Sequence, residues 1–371
     1  HKTGVRLGEL SHKTLELTQG KEFESRILFW AAVHIDAWVA PLSAVQVILH
    51  RGYRTGMETG DTEFAFFSLA YYNVHAYMMG LPLGPIIKES ESLIYQINQY
   101  GVESVRAIVL PFHQMLLDLA GRTEDPLAWI CAMEGEDSRR RKAHDPSENV
   151  KVIWSYLARG QLAYFFGETA TADRTWTKLK PLLAGMSSYS APTLDIFFTG
   201  LIGTAMFRKT GKRKYRHQAQ NAVKSMKSLM EKFNTGLNNL HRYYIMLADC
   251  VATFEKRKSK EEVRKAFDQA ISAASKAGFL QDAALANELC GEFFVKGEEL
   301  FWAKHYVTSA YNLYCEWGAK AKAVHLLRNR GAFLDKERKI VSQRSSVLRK
   351  GPLSSERYLD SISMTLDDMT L

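Results

Sequence analysis

Apolar residues recur along most of this chain at intervals of three and four, while runs alternating with period two are scarce. That spacing puts side chains on one face of an α-helix. It predicts helices over roughly 5–19, 22–38, 42–57, 61–79, 83–99 and 101–120. The pattern resumes over 150–166, 169–184, 190–209, 213–233, 237–256, 260–277, 281–296, 299–316 and 318–329. Short turn signals separate them: Thr59-Gly60-Asp61, Gly80-Leu81-Pro82, Gly167-Glu168, Thr210-Gly211-Lys212, Ala277-Gly278 and Trp317-Gly318. Connections this short join antiparallel neighbours. The expected fold class is all-α, an α-solenoid of antiparallel helix pairs.

The pairs echo one another. Cys290-Gly291-x2-Phe294, then Ala303-x3-Val307 and Ala310, resembles the tetratricopeptide signature, with a weaker copy at Arg159-Gly160 and Ala172-x3-Trp176. Small residues let two helices approach closely, and large ones fill the space beside them. Ala266 and Ala273 recur as Ala303 and Ala310, and Pro41-Leu42 recurs as Pro82-Leu83. The two shifts differ, so the repeats are tetratricopeptide-like but degenerate. The expected organisation is N-terminal helical repeats over 1–133, a polar loop or hinge over 134–149, and C-terminal repeats over 150–334. A Ser-rich, largely disordered linker follows over 335–371.

Composition narrows the classes. The formal net charge is +9, but basic residues are spread rather than striped, with local clusters at 139–142, 209–216 and 256–265. No zinc-finger, RRM or basic-zipper pattern accompanies them, so no specific nucleic-acid partner is expected. Four cysteines, Cys131, Cys250, Cys290 and Cys315, form no CxxC pair. This favours a reducing, cytoplasmic setting without disulfides. The longest apolar run, Ile27 to Leu49, is broken by His34, Asp36 and Pro41, which argues against a membrane span and for two buried helices meeting at Pro41. The chain opens at His1, as expected of a piece of a longer product.

No catalytic constellation emerges. Gly203 to Lys212 lacks phosphate-loop spacing, and Arg213 stands where Ser or Thr belongs. Ser11-His12-Lys13 lacks the acidic residue of a phospho-accepting histidine box. His34 and Asp36 point apart on a helix. His75 sits among Tyr71, Tyr72, Tyr77 and Met78 and is expected to pack beside a hydrogen-bonding neighbour. Glu288 and Glu292, with Lys296 one turn further, read as a charged surface face. Glu298 and Trp302 read as an acid–aromatic pair. No catalytic residue, cofactor or metal is expected. Aromatics at helical spacing, Tyr71, Tyr72, Phe165, Phe166, Phe293, Phe294, Tyr311 and Tyr314, are expected in the core, some of them on a concave docking face.

Two stretches carry a resemblance. One runs from Ala284 to Leu289 through Phe293-Phe294, Gly297, Ala303 with Tyr306, and Tyr314 to Lys322, including Trp317-Gly318. The other comprises Trp38, Pro41, Leu42, Gly56, Glu58, Thr59, Gly60, Asp61, Glu63 and Ala65. In their order along the chain, over 38–322, they resemble the helical region of very large signalling proteins. Those proteins combine a serine/threonine kinase-like domain, a STAND-type AAA ATPase, a GAF domain and often a sensor histidine kinase. The resemblance implies a non-catalytic scaffold coupling ATPase and sensor modules, with protein partners: those modules or a peptide on the concave face. It transfers no functional residue, because the kinase, ATPase and GAF motifs lie outside the chain. A free-standing peptide-binding adaptor is the alternative. If 134–149 is a hinge, limited proteolysis will cut there first; cleavage elsewhere with that segment intact removes the hinge.

Overall fold

The computed structural model describes residues 2–18, 20–126, 128, 146–183, 191–233 and 236–334, and among them it shows fifteen helices and no strand. The first half holds α1 (Lys2–Thr18), α2 (Lys21–Ala31), α3 (Leu42–Thr59), α4 (Thr62–Met78), α5 (Leu83–Tyr100) and α6 (Glu103–Ala120). The second half holds α7 (Pro146–Phe165), α8 (Thr169–Leu183), α9 (Ala191–Thr210), α10 (Arg213–Phe233) and α11 (Gly236–Phe254). It continues with α12 (Lys260–Lys276), α13 (Leu280–Lys296), α14 (Leu300–Trp317) and α15 (Lys320–Arg330). Each helix packs on its sequence neighbours, and α7 joins the halves by packing on α6. This is the expected all-α array of antiparallel hairpins.

Glycine ends the helices. All six glycines in the turn signals have positive φ, as do Gly101 and Gly121. Gly80 needs its identity twice over: φ is +76, and an added Cβ would meet Leu280 N at 2.7 Å. The Pro41 break also holds. Helix α2 runs on through a π-helical turn, Ala32–Asp36, and Ala37–Val39, and α3 starts after Pro41. Asn238 on α11 closes the gap: its side-chain amide donates to Ala40 O at 2.8 Å and accepts from Leu42 N at 3.2 Å.

A second set of glycines sets how closely hairpins close. Gly291 on α13 faces Val307 on α14, and Gly160 on α7 faces Trp176 on α8. The same sixteen-residue step joins Gly52 to Ser68 across α3 and α4, and Gly203 to Ala219 across α9 and α10. Four hairpins therefore share one device. The Gly203 stretch lies inside α9, facing backbone atoms of α10, which is no place for a phosphate loop.

Some expectations need correcting. Helix α7 begins at Pro146, so the polar break is shorter than its expected 134–149. Proline suits a first helical position, where no amide bond is lost. Residues 134–145, the cluster at 139–142, Cys131 and the tail 335–371 lie outside the described residues. Glu298 stands in a turn with φ of 58°, and it is Arg264 that lies 4.5 Å over the Trp302 ring. His75 is fully buried, and neither ring nitrogen has a hydrogen-bond partner. It sits edge-on to Tyr71 and lines a small apolar cavity of about 40 Å³.

Burial pushes the His75 pKa from 6.5 down to about 4. The unfolded chain therefore takes up this proton first. The stability that neutral His75 contributes is present above pH 6.5 and is lost as pH falls toward 4. Replacing His75 by Phe should remove about one proton of the pH dependence of urea unfolding between pH 4 and 6.5. Gly160→Ala should destabilise by about 1–3 kcal/mol, because the new Cβ would lie 2.5 Å from the Trp176 ring. Gly84→Ala, with nothing within 4 Å, should not destabilise.

Candidate functional site

Alternate helices of the second half turn one face inward. On α13 that face carries Leu285, Glu288, Leu289, Glu292, Phe293 and Lys296, each three or four residues from the next in its row. Helix α15 contributes Lys322, His325, Leu326, Asn329 and Arg330 with the same step. Helix α9 adds Ala205, Arg208 and Lys209, α11 adds Asp249, Ala252 and Thr253, and the end of α7 adds Tyr164 and Phe165. Together they surround a cavity of about 500 Å³. The ring closes where α15 returns to α7: Lys322 Nζ donates to Phe165 O, and His325 packs edge-on to Phe166.

Three cross-helix ion pairs form its walls. Arg208 donates to Asp249 at 2.6 Å and to Thr253 at 2.8 Å, while Thr204 donates to the other Asp249 oxygen. Lys322 donates to Glu288 at 2.6 Å, and the Tyr314 hydroxyl donates to the second Glu288 oxygen at 2.6 Å. Arg330 grips Glu292 through two nitrogens, at 2.6 and 2.8 Å. Every carboxylate of the wall is matched by a cation, and Lys209 and Lys296 are left over. Burial lowers the Lys296 pKa, and the charge of Arg208 adds to this, although much of the side chain opens on the cavity. Burial, reinforced by Asp249, raises the Tyr164 pKa, so its phenol stays neutral.

The opposite end of these inner helices is occupied by the chain itself. Arg242 on α11 donates to Asp282 at 3.1 Å and to Met78 O, the carbonyl end of α4, at 3.3 Å. Gln281 donates to the same carbonyl at 2.8 Å, and His241 meets Asp282 at 2.8 Å. Arg242, His241 and Asp282 are all buried. Burial by itself raises the pKa of a carboxylate; Arg242 and the His241 bond outweigh it and hold Asp282 below its ordinary value. Above this node Tyr77 packs on Trp317 and Phe112.

The structure places the sequence-predicted packing residues as follows. Trp38 packs on Phe233, Ala65 is buried where a Cβ on Gly56 would meet it, and Asp61 pairs with Arg26 at 2.7 Å. Leu42, Ala172, Phe294, Ala303, Ala310 and Trp317 are buried, and Gly60 and Gly318 end helices. Of the aromatic set, Phe165 and Phe293 reach the cavity, and Tyr71, Phe166, Phe294 and Tyr314 are buried. The reading of Glu288, Glu292 and Lys296 as a surface face holds for Lys296, which is exposed, and not for the two carboxylates, which are bound from α15 and form a cavity wall. His12 pairs with Asp36 at 3.2 Å, and His34 packs against Trp30.

Sequence reasoning missed Arg208, Asp249, Lys322 and Arg330. The available signal was the three- and four-residue polar step along 320–330. Among the described residues no group of three His, Cys, Asp or Glu side chains is placed to hold a metal ion. Compared with protein-family models, curated proteins and solved structures, the chain matches none.

Lys322 is buried with two partners. Lys322→Met strands Glu288 and should cost about 3–5 kcal/mol of unfolding free energy. The double variant Glu288→Leu with Lys322→Met should recover most of that in the same denaturant titration.

Proposed function

We propose that this chain is the helical arm of a larger ATP-dependent signalling protein, a non-catalytic scaffold linking ATPase and sensor modules in the cytoplasm. The observation that carries the reading is the hairpin stack together with its bare end. Leu7, Leu10 and Leu17 form an apolar stripe along α1 and are 58, 58 and 76% exposed. A terminal repeat that ends an array carries a polar outer face. An apolar stripe there supports packing against a further protein element. Rigid stacking transmits a displacement at one end to the other, and the buried node between α4, α11 and α13 stiffens the span. The resemblance of residues 38–322 to kinase–ATPase–GAF proteins points the same way. Among the described residues no helix is long and apolar enough to cross a membrane.

A second reading, a free-standing adaptor for a peptide, is favoured by the open cavity on the inner face. Both predict protein partners rather than a specific nucleic acid. Immunoblotting native extract with an antibody raised against residues 281–330 separates them. The arm of a multidomain protein is expected to give a band far above 42.1 kDa. A band near 42.1 kDa would overturn that reading in favour of the adaptor.

A further inference from the structure

The ring of inner helices encloses space with an uncompensated charge. Its volume of about 500 Å³ is that of a small-molecule site rather than a packing defect. Its three carboxylates, Asp249, Glu288 and Glu292, are each engaged by a cation. Two cations, Lys209 and Lys296, line the cavity with no carboxylate of their own there. Burial and then the charge of Arg208 lower the Lys296 pKa, with Glu292 and Asp249 opposing them in part, so a further negative group beside Lys296 would be favoured. Tyr164 presents a neutral hydroxyl at the same wall. Apolar surface from Leu285, Leu289 and Phe293 lies beside these donors on α13.

We propose that this cavity binds a small amphipathic organic anion. The apolar body would lie against Leu289 and Phe293, and a terminal carboxylate, phosphate or sulfonate would face Lys296 and Tyr164. The inference is independent of whether the chain belongs to a larger protein. It requires only the described array. The paired walls explain why the site selects charge: a cationic ligand would have to displace Arg208, Lys322 or Arg330 from carboxylates they hold within 2.6 Å.

The probe is 1-anilinonaphthalene-8-sulfonate, compared by fluorescence titration with its neutral analogue N-phenyl-1-naphthylamine. Saturable one-to-one binding is expected, with the sulfonate bound about tenfold tighter than the neutral dye. Raising the salt concentration should narrow that gap by screening the charges. Lys296→Met should weaken the sulfonate about tenfold and leave the neutral dye unchanged. Ala252→Trp should fill the cavity and abolish both signals. Equal affinity for the two dyes, or an unchanged sulfonate affinity in Lys296→Met, would overturn the proposal. Full binding in a folded Ala252→Trp protein would overturn it too, since the dye would then sit elsewhere, as on the α1 stripe. If circular dichroism shows that Ala252→Trp is unfolded, Lys296→Met decides the matter alone.

Discussion

One buried guanidinium holds the two halves together. Arg242 is shared between Asp282 and the carbonyl end of α4. Burying an ion pair costs several kcal/mol per charge unless the remaining donors and acceptors are satisfied. Here His241 completes the carboxylate, Gln281 donates to the same backbone oxygen, and Phe197 lies under the guanidinium at 5.6 Å. A cation at a helix C-terminus also meets the negative end of the helix dipole. The α4–α5 corner is thereby fixed at the mouth of the second-half array, with Gly80 against the start of α13 and Gly318 against Leu83. It acts beside the α6–α7 packing and the Asn238 bonds to Ala40 and Leu42, which also cross between the halves.

The hairpin contacts explain why part of this fold was legible and part was not. Gly160 and Gly291 stand out in sequence because a large residue, Trp176 or Val307, faces each across its hairpin. Gly203 and Gly52 use the same geometry but face Ala219 and Ser68. At Gly203 the helices approach backbone to backbone and at Gly52 a serine side chain lies between them, and in both the sequence keeps only a glycine in an ordinary helix. Six of the turn glycines were readable, since a left-handed φ permits few other residues, while Gly101 and Gly121 were passed over.

The cavity was hidden for a different reason. Glu288, Glu292 and Lys296 at successive turns look like a solvated stripe, because spacing within one helix shows neighbours on that helix only. Their partners, Lys322 and Arg330, lie more than thirty residues on, and Arg208 lies about forty residues before Asp249. The curvature of the array brings them together, and curvature follows from hairpin packing that is degenerate in this chain. The same pairs serve two ends: they join α9 to α11 and α13 to α15, and they leave Lys209 and Lys296 as the unmatched charge.

The contact between Lys322 and the Phe165 carbonyl joins the first inner helix of the second half to the last. In a stack whose members touch only their neighbours, such a contact is a clasp across the open side of a spring. A displacement that accumulates over the hairpins is therefore also felt at this contact. One lysine thus serves both the cavity wall and the tie between the first and last inner helices.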